Sequence, residues 1–112
     1  MTSNKKLTIL LVDDIPANLH TLEEMLQSES RTFLKATSGV EALQMVLQNN
    51  DIGLILLDVQ MPDMDGFEVA QHLKSYKASS LIPIIFVTAI SKEEKFILKG
   101  FSKGAVDYLS KP

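Results

Sequence analysis

Ile52-Gly53-Leu54-Ile55-Leu56-Leu57-Asp58 is an apolar run closed by a single carboxylate. Its hydrophobic residues follow one another instead of alternating with polar ones. That is the pattern of a strand buried on both faces, as in a parallel sheet. Asp58 is then the first charged group the chain presents as it leaves the core.

Upstream, Leu7-Thr8-Ile9-Leu10-Leu11-Val12 is a second nearly continuous apolar run, ending abruptly in Asp13-Asp14. After Pro16, Leu19, Leu22, Met25 and Leu26 recur at helical spacing up to about Ser28. Thr32 to Thr37 reads as a shorter, more polar strand, as expected at a sheet edge. Ser38-Gly39-Val40-Glu41 has a Ser with Glu three residues on, the capping box that opens a helix. Val40, Leu43, Val46 and Leu47 would form its buried stripe.

Downstream, Val59 to Met64 is a loop containing Pro62, and Asp65-Gly66-Phe67-Glu68 opens a helix reaching about Tyr76. Pro83-Ile84-Ile85-Phe86-Val87 is a fourth strand ending at Thr88. Ser91-Lys92-Glu93-Glu94 supplies another capping box, with Phe96, Ile97 and Phe101 behind it. Ala105 to Leu109 is a fifth strand, followed by Ser110-Lys111-Pro112. Strand and helix alternate throughout, which implies an α/β fold: a parallel sheet with right-handed crossovers and helices on its faces. No repeat, low-complexity tract or linker divides the chain.

Composition narrows the chemistry. At 112 residues the chain fits one domain, and with 46% hydrophobic residues it can build a core without staples. It has no cysteine, which excludes disulfides, thiolate metal sites and a cysteine nucleophile, and fits a cytoplasmic protein. No apolar stretch approaches the ~20 residues that cross a bilayer, and the short N-terminal segment is too brief for a signal peptide. The formal charge is -3 with lysines scattered, which argues against direct nucleic-acid binding.

The polar residues at the strand ends carry the functional signal. Asp13 and Asp14, Asp58, Thr88 and, just beyond the fifth strand, Lys111 all follow buried runs. In an open parallel sheet, ligands bind beyond the carboxyl ends of the strands, where strand order reverses. Three carboxylates brought together there repel one another unless a cation sits among them. Oxygen donors without His or Cys suit Mg2+. A phosphoryl group on Asp58 would add negative charge that Lys111 and the metal can answer, with the Thr88 hydroxyl donating to a phosphoryl oxygen. The set fits in-line phosphoryl transfer, where positioning and charge neutralisation do most of the catalysis. Taken singly, each residue has a plainer explanation: Asp13 and Asp14 could cap the helix after Pro16, Asp58 could be an ordinary strand-end residue, and Lys111 a solvated surface group.

These residues also carry a resemblance. Leu10-Leu11-Val12-Asp13-Asp14, Leu56-Leu57-Asp58-Val59-Gln60-Met61-Pro62-Asp63-Met64-Asp65-Gly66, Pro83-Ile84-Ile85-Phe86-Val87-Thr88-Ala89 and Gly104-Ala105-Val106-Asp107-Tyr108-Leu109-Ser110-Lys111-Pro112 match in order, spacing and identity. The chain resembles the receiver domain of two-component response regulators from about Lys6 to Pro112. The resemblance implies a flavodoxin-like, doubly wound, five-stranded parallel sheet of order 2-1-3-4-5, with residues 1–5 a flexible tail and 6–112 the receiver domain. Asp58 would accept a phosphoryl group from a phosphohistidine on a histidine kinase or histidine phosphotransfer protein. Asp14, Asp58 and the backbone carbonyl of Gln60 would bind Mg2+ (Mn2+ being an alternative), while Asp13 holds a metal-bound water. Thr88, the Ala89 backbone and Lys111 would contact the phosphoryl group. Tyr108 would follow Thr88 as a switch that reaches the surface of the fourth helix and fifth strand, read by a downstream output domain or protein. The Lys111-Pro112 bond would be cis.

Two departures stand out. The sequence stops at Pro112, where the family normally continues with a fifth helix. The sequence is then truncated before that helix, or a partner helix or second subunit covers the exposed face. A dimer could use that face or the fourth helix-fifth strand surface. Ile90, apolar where many receivers are polar, would tune self-dephosphorylation together with Gln60.

Among weaker features, His20 and His72 read as surface residues, Met61 and Met64 as loop packing, and Lys92, Glu93, Glu94, Lys95 and Lys99 as a solvated face. Three rival functions arise. A haloacid-dehalogenase-type phosphatase needs an Asp where Gln60 stands. A nucleotide-binding domain needs a glycine-rich turn where Asp13-Asp14-Ile15-Pro16 stands. A receiver that acts only as a phosphorylation-independent docking module normally lacks Asp58, Lys111 or an acidic partner.

Overall fold

A computed structural model describes residues 6–88 and 106–110, with Thr88 and 106–110 described by their backbone alone. The tail 1–5, the helix expected after Ser91, the charged cluster Lys92–Lys99 and the terminal Lys111-Pro112 lie outside the described residues.

Among the described residues, eight elements follow in order: β1 (Leu7–Val12), α1 (Pro16–Leu26), β2 (Arg31–Ala36), α2 (Gly39–Gln48), β3 (Ile52–Leu57), α3 (Gly66–Ser75), β4 (Ile84–Thr88) and β5 (Val106–Ser110). The five strands form one sheet of order β2-β1-β3-β4-β5, every neighbouring pair parallel. This is the expected flavodoxin-like order, with its reversal point between β1 and β3. β2 is more exposed than the central strands, with Arg31, Thr32 and Lys35 exposed, as an edge strand should be.

Successive residues of the central strands serve opposite layers, because side chains alternate across a sheet. Leu10 and Val12 of β1, Ile55 and Leu57 of β3, and Ile84 and Phe86 of β4 pack with Ala42 and Val46 of α2 and Val69, Ala70 and Leu73 of α3. Ile9, Leu11, Leu56 and Val87 face the other way and join Leu19, Leu22 and Leu26 of α1. Each fully buried side chain of this size contributes about 1.5–3 kcal/mol of transfer free energy, so these two layers carry the fold.

Helix starts are locally encoded. Ser38 Oγ accepts the Glu41 amide at 3.1 Å, and Asp65 Oδ1 accepts the Glu68 amide at 2.9 Å. Glu41 departs from the expected box by one residue: its carboxylate reaches the Thr37 amide at 2.6 Å. For α1 the N-cap is Ile15, with no side-chain cap, so neither Asp13 nor Asp14 is the capping residue.

Two expected stripes are corrected by the structure. Val40 and Leu47 of α2 are 54% and 64% exposed, whereas Val46 and Leu43 pack inward as expected, joined on that face by Gly39 and Ala42. The reason is proximity. A Cβ on Gly39 would stand 2.7 Å from Val69 Cγ2, so the face with the smallest side chains is the one that fits against α3. Met25 of α1 is likewise exposed, while Leu19, Leu22 and Leu26 pack inward. His20 lies on the surface beside Glu24 at 3.2 Å, and exposed His72 stacks on Tyr76.

Candidate functional site

The sheet delivers two aspartates to one place. β1 and β3 run in register, Val12 opposite Leu57. The ladder continues one rung further, with the Asp58 amide donating to the Val12 carbonyl at 2.9 Å and the Asp13 amide to the Ala36 carbonyl at 3.1 Å. Asp13 and Asp58 are thus the last rungs of adjacent strands at the point of order reversal. Both are buried, at 1% and 3% exposure, while Asp14 is half-buried.

Carboxylate oxygens of Asp13, Asp14 and Asp58 lie within 4.8 Å of one another. Two unit charges no more than 4.8 Å apart repel by about 3 kcal/mol or more at an effective dielectric constant of ~20. A divalent cation reverses that sign. The donors are hard oxygens, and the half-open Asp14 side leaves access for water, so the chemistry of the cluster fits Mg2+.

Local hydrogen bonds aim these groups. Asp13 Oδ1 accepts the Ile15 amide at 3.0 Å and Oδ2 accepts Asn18 Nδ2 at 3.2 Å. Asp58 Oδ1 faces the Gln60 amide at 3.4 Å. The loop after β3 folds back on itself, the Gly66 amide donating to the Val59 carbonyl at 2.8 Å and the Met64 amide to the Pro62 carbonyl at 2.8 Å. Asp63 closes this turn with φ 67°, a left-handed conformation that a short polar side chain tolerates. Met61 is buried in the core beneath, and Met64 packs against it.

Asp13, Asp14, Asp58 and the Gln60 main chain are therefore brought together. Thr88 ends β4, its backbone opposite Ser110 of β5, and Tyr108 stands opposite Phe86. The Thr88 and Tyr108 side chains, Ala89, Ile90, Lys111 and the Lys111-Pro112 bond lie outside what the structure describes. Two residues enter that the sequence reading passed over, Asn18 and Gly66. Asn18 in the first turn after an acidic pair is a weak signal; Gly66 closes one of the stretches that carry the family resemblance, but its close approach to the Asp58 backbone is seen only in three dimensions. A small groove beside the loop, walled by Ser38, Val40, Met61 and Met64, is mostly apolar.

The family model for the response regulator receiver domain matches residues 9–112. The chain belongs to that family. Its relatives include Response regulator PleD of Caulobacter vibrioides, 41% identical over 104 residues, 93% of this chain and 22% of PleD. The chain thus spans about a fifth of the length of that curated relative. Among solved receiver structures, Vibrio cholerae chemotaxis protein CheY4 is 30% identical with a TM-score of 0.83, covering 96% of this chain and 88% of CheY4. Thermotoga maritima TrrA, solved in complex with Mg(2+)-BeF, is 31% identical with a TM-score of 0.79, covering 95% and 87%. As a response regulator receiver, the chain belongs to two-component signalling, and its acidic cluster is compatible with Mg2+. No helix among the described residues is long and apolar enough to cross a membrane.

Proposed function

We propose that this receiver is phosphorylated on Asp58 by a phosphohistidine of a histidine kinase or histidine phosphotransfer protein. The observation that carries the reading is the meeting of the Asp13, Asp14 and Asp58 carboxylates within 4.8 Å at the reversal of strand order. The Asp58 carboxylate attacks phosphorus, the phosphorus–imidazole nitrogen bond breaks, and the departing imidazole takes a proton from solvent. Mg2+, when bound, supplies charge neutralisation for the phosphoryl oxygens.

Asp14, Asp58 and the Gln60 carbonyl would hold the ion, and Asp13 would hold a water of its hydration shell. Thr88, the Ala89 amide and Lys111 would contact the transferred group. Tyr108 would move with Thr88, presenting a changed surface to an output domain or protein in the cytoplasm. The Mg(2+)-BeF complex of TrrA supports this assignment by analogy.

The test is incubation with Mg2+ and acetyl phosphate followed by intact mass. One phosphoryl mass is expected in the wild type and none in Asp58→Ala. A gain that persists in the variant moves the acceptor elsewhere. No gain in the wild type favours a receiver that only docks.

A further inference from the structure

The solvent-facing positions of α1 include His20 and Glu24, and those of α3 include Glu68 and His72. Those of α2 are Val40, Gln44, Leu47 and Gln48, none of them ionisable. The one charged residue of α2, Glu41, is half-buried and turned back on Thr37, whose amide its carboxylate accepts at 2.6 Å. Val40, Gln44 and Leu47 are spaced i, i+4, i+7 and so share one face of the helix. At the Val40 end of that face lies the groove of about 180 Å³ walled by Ser38, Met61 and Met64. At the other end, about 10 Å along the axis, Leu47 stands 64% exposed. One uncharged face thus carries an apolar hole and an apolar knob.

We propose that this face binds a second copy of the chain. The two α2 helices lie antiparallel about a two-fold axis, with Leu47 of each copy seated in the groove beside Val40 of the other. Charge selects this occupant. Two-fold pairing sets a patch against itself, so a charged patch would meet its own sign, and this one carries none. A different protein would draw steering and specificity from charge, which these four positions do not offer. Geometry selects it too. Reversing the helix exchanges its ends, so the knob of each copy meets the hole of the other and both contacts form at once. Gln44 falls about midway between them, close to the axis and opposite its own counterpart. A carboxamide is its own complement, donating through nitrogen and accepting through oxygen. Asp63, which also lines the groove, comes toward Gln48 of the other copy, a further amide donor. The contact covers about two turns of helix, at the small end of protein–protein interfaces, so its dissociation constant is on the order of 100 μM. At low micromolar concentration the chain is then a monomer, and unfolding there reports on the monomer alone.

The chain has no cysteine, so introduced thiols report without background. Val40→Cys and Leu47→Cys proteins are oxidised separately and as an equimolar mixture, at a concentration near the expected dissociation constant. The mixture is expected to form disulfide-linked dimer about tenfold faster than either protein alone, because pairing raises the local thiol concentration to the millimolar range. Thr21→Cys, on the exposed side of α1, gives the rate of random collision. A Leu47→Cys protein that links to itself as fast as the mixture overturns the antiparallel pairing. A mixture no faster than Thr21→Cys overturns the dimer. Sedimentation equilibrium up to about 1 mM supplies a second reading without thiols. Wild type should associate, and Leu47→Lys, which puts a charge on the knob, should weaken association at least tenfold. Wild type that stays monomeric, or association that survives Leu47→Lys, overturns the proposal. Urea unfolding confirms that each variant, altered only at an exposed position, is folded.

Discussion

Gly66 lies so close to the backbone of Asp58 and Val59 that a Cβ on it would stand 2.8 Å from Val59 Cα and meet the Asp58 carbonyl oxygen. The first turn of α3 is therefore seated directly on the main chain that carries the candidate acceptor. Backbone cannot swing aside as a flexible side chain can. Gly66→Ala is expected to destabilise the domain by about 1–3 kcal/mol and to weaken Mg2+ binding by displacing Asp58. Urea unfolding and Mg2+ titration check this, and a variant matching wild type in both would show that the contact relaxes freely.

Asp14→Asn removes one charge from the three-carboxylate cluster. In low salt without divalent ions the variant should be more stable than wild type, by on the order of 1 kcal/mol, because repulsion is relieved. Adding Mg2+ should stabilise wild type markedly and the variant much less, since stabilisation by a ligand follows its affinity. Thermal melts with and without Mg2+ measure both effects. Equal shifts in the two proteins would remove Asp14 from the ion's ligands.

The orientation of α2 predicts a contrast. Val40→Ser and Leu47→Gln, both at exposed positions, should change stability by no more than about 0.5 kcal/mol. Ala42→Leu, at a position with 0% exposure, should cost about 1–3 kcal/mol through overpacking. Denaturant midpoints of the three variants decide it. A large loss in either exposed variant would mean that the helix is turned the other way.

Lys74 supplies a pH dependence. Its ammonium donates to the Ser80 and Ile82 carbonyls, each at 3.2 Å, and burial lowers its pKa from 10.5. Between the lowered native value and 10.5 the unfolded chain holds this proton more often than the native one. Stability from this group therefore rises with pH across that window. The stability of wild type relative to Lys74→Met should increase between neutral pH and about pH 10, read from urea unfolding of both proteins. A relative stability that falls over that range would contradict the assignment.

Much of this was legible in the residues. β3 occupies Ile52–Leu57, as its unbroken apolar run implied, and the strand order follows the family resemblance. Ser38 and Asp65 cap their helices because a side-chain oxygen three residues before an amide is a local matter. The α2 face was misread because hydrophobicity ranks Val40 and Leu47 above Gly39 and Ala42, whereas packing against α3 selects for size. Asn18 and Gly66 escaped for a related reason. Gly66 stood within a stretch matched to the family, but the significance of both is a contact made only when β1, α1, β3 and α3 have assembled.

The odd–even division of the central strands bears on how this domain can diverge. Inserting or deleting one residue within β3 would exchange Ile55 and Leu57 with Leu54 and Leu56 between the two helical layers. It would also carry Asp58 off the rung beside Asp13. Strand length is thus forbidden territory for indels, and tolerated length variation belongs in surface turns far from the acidic residues.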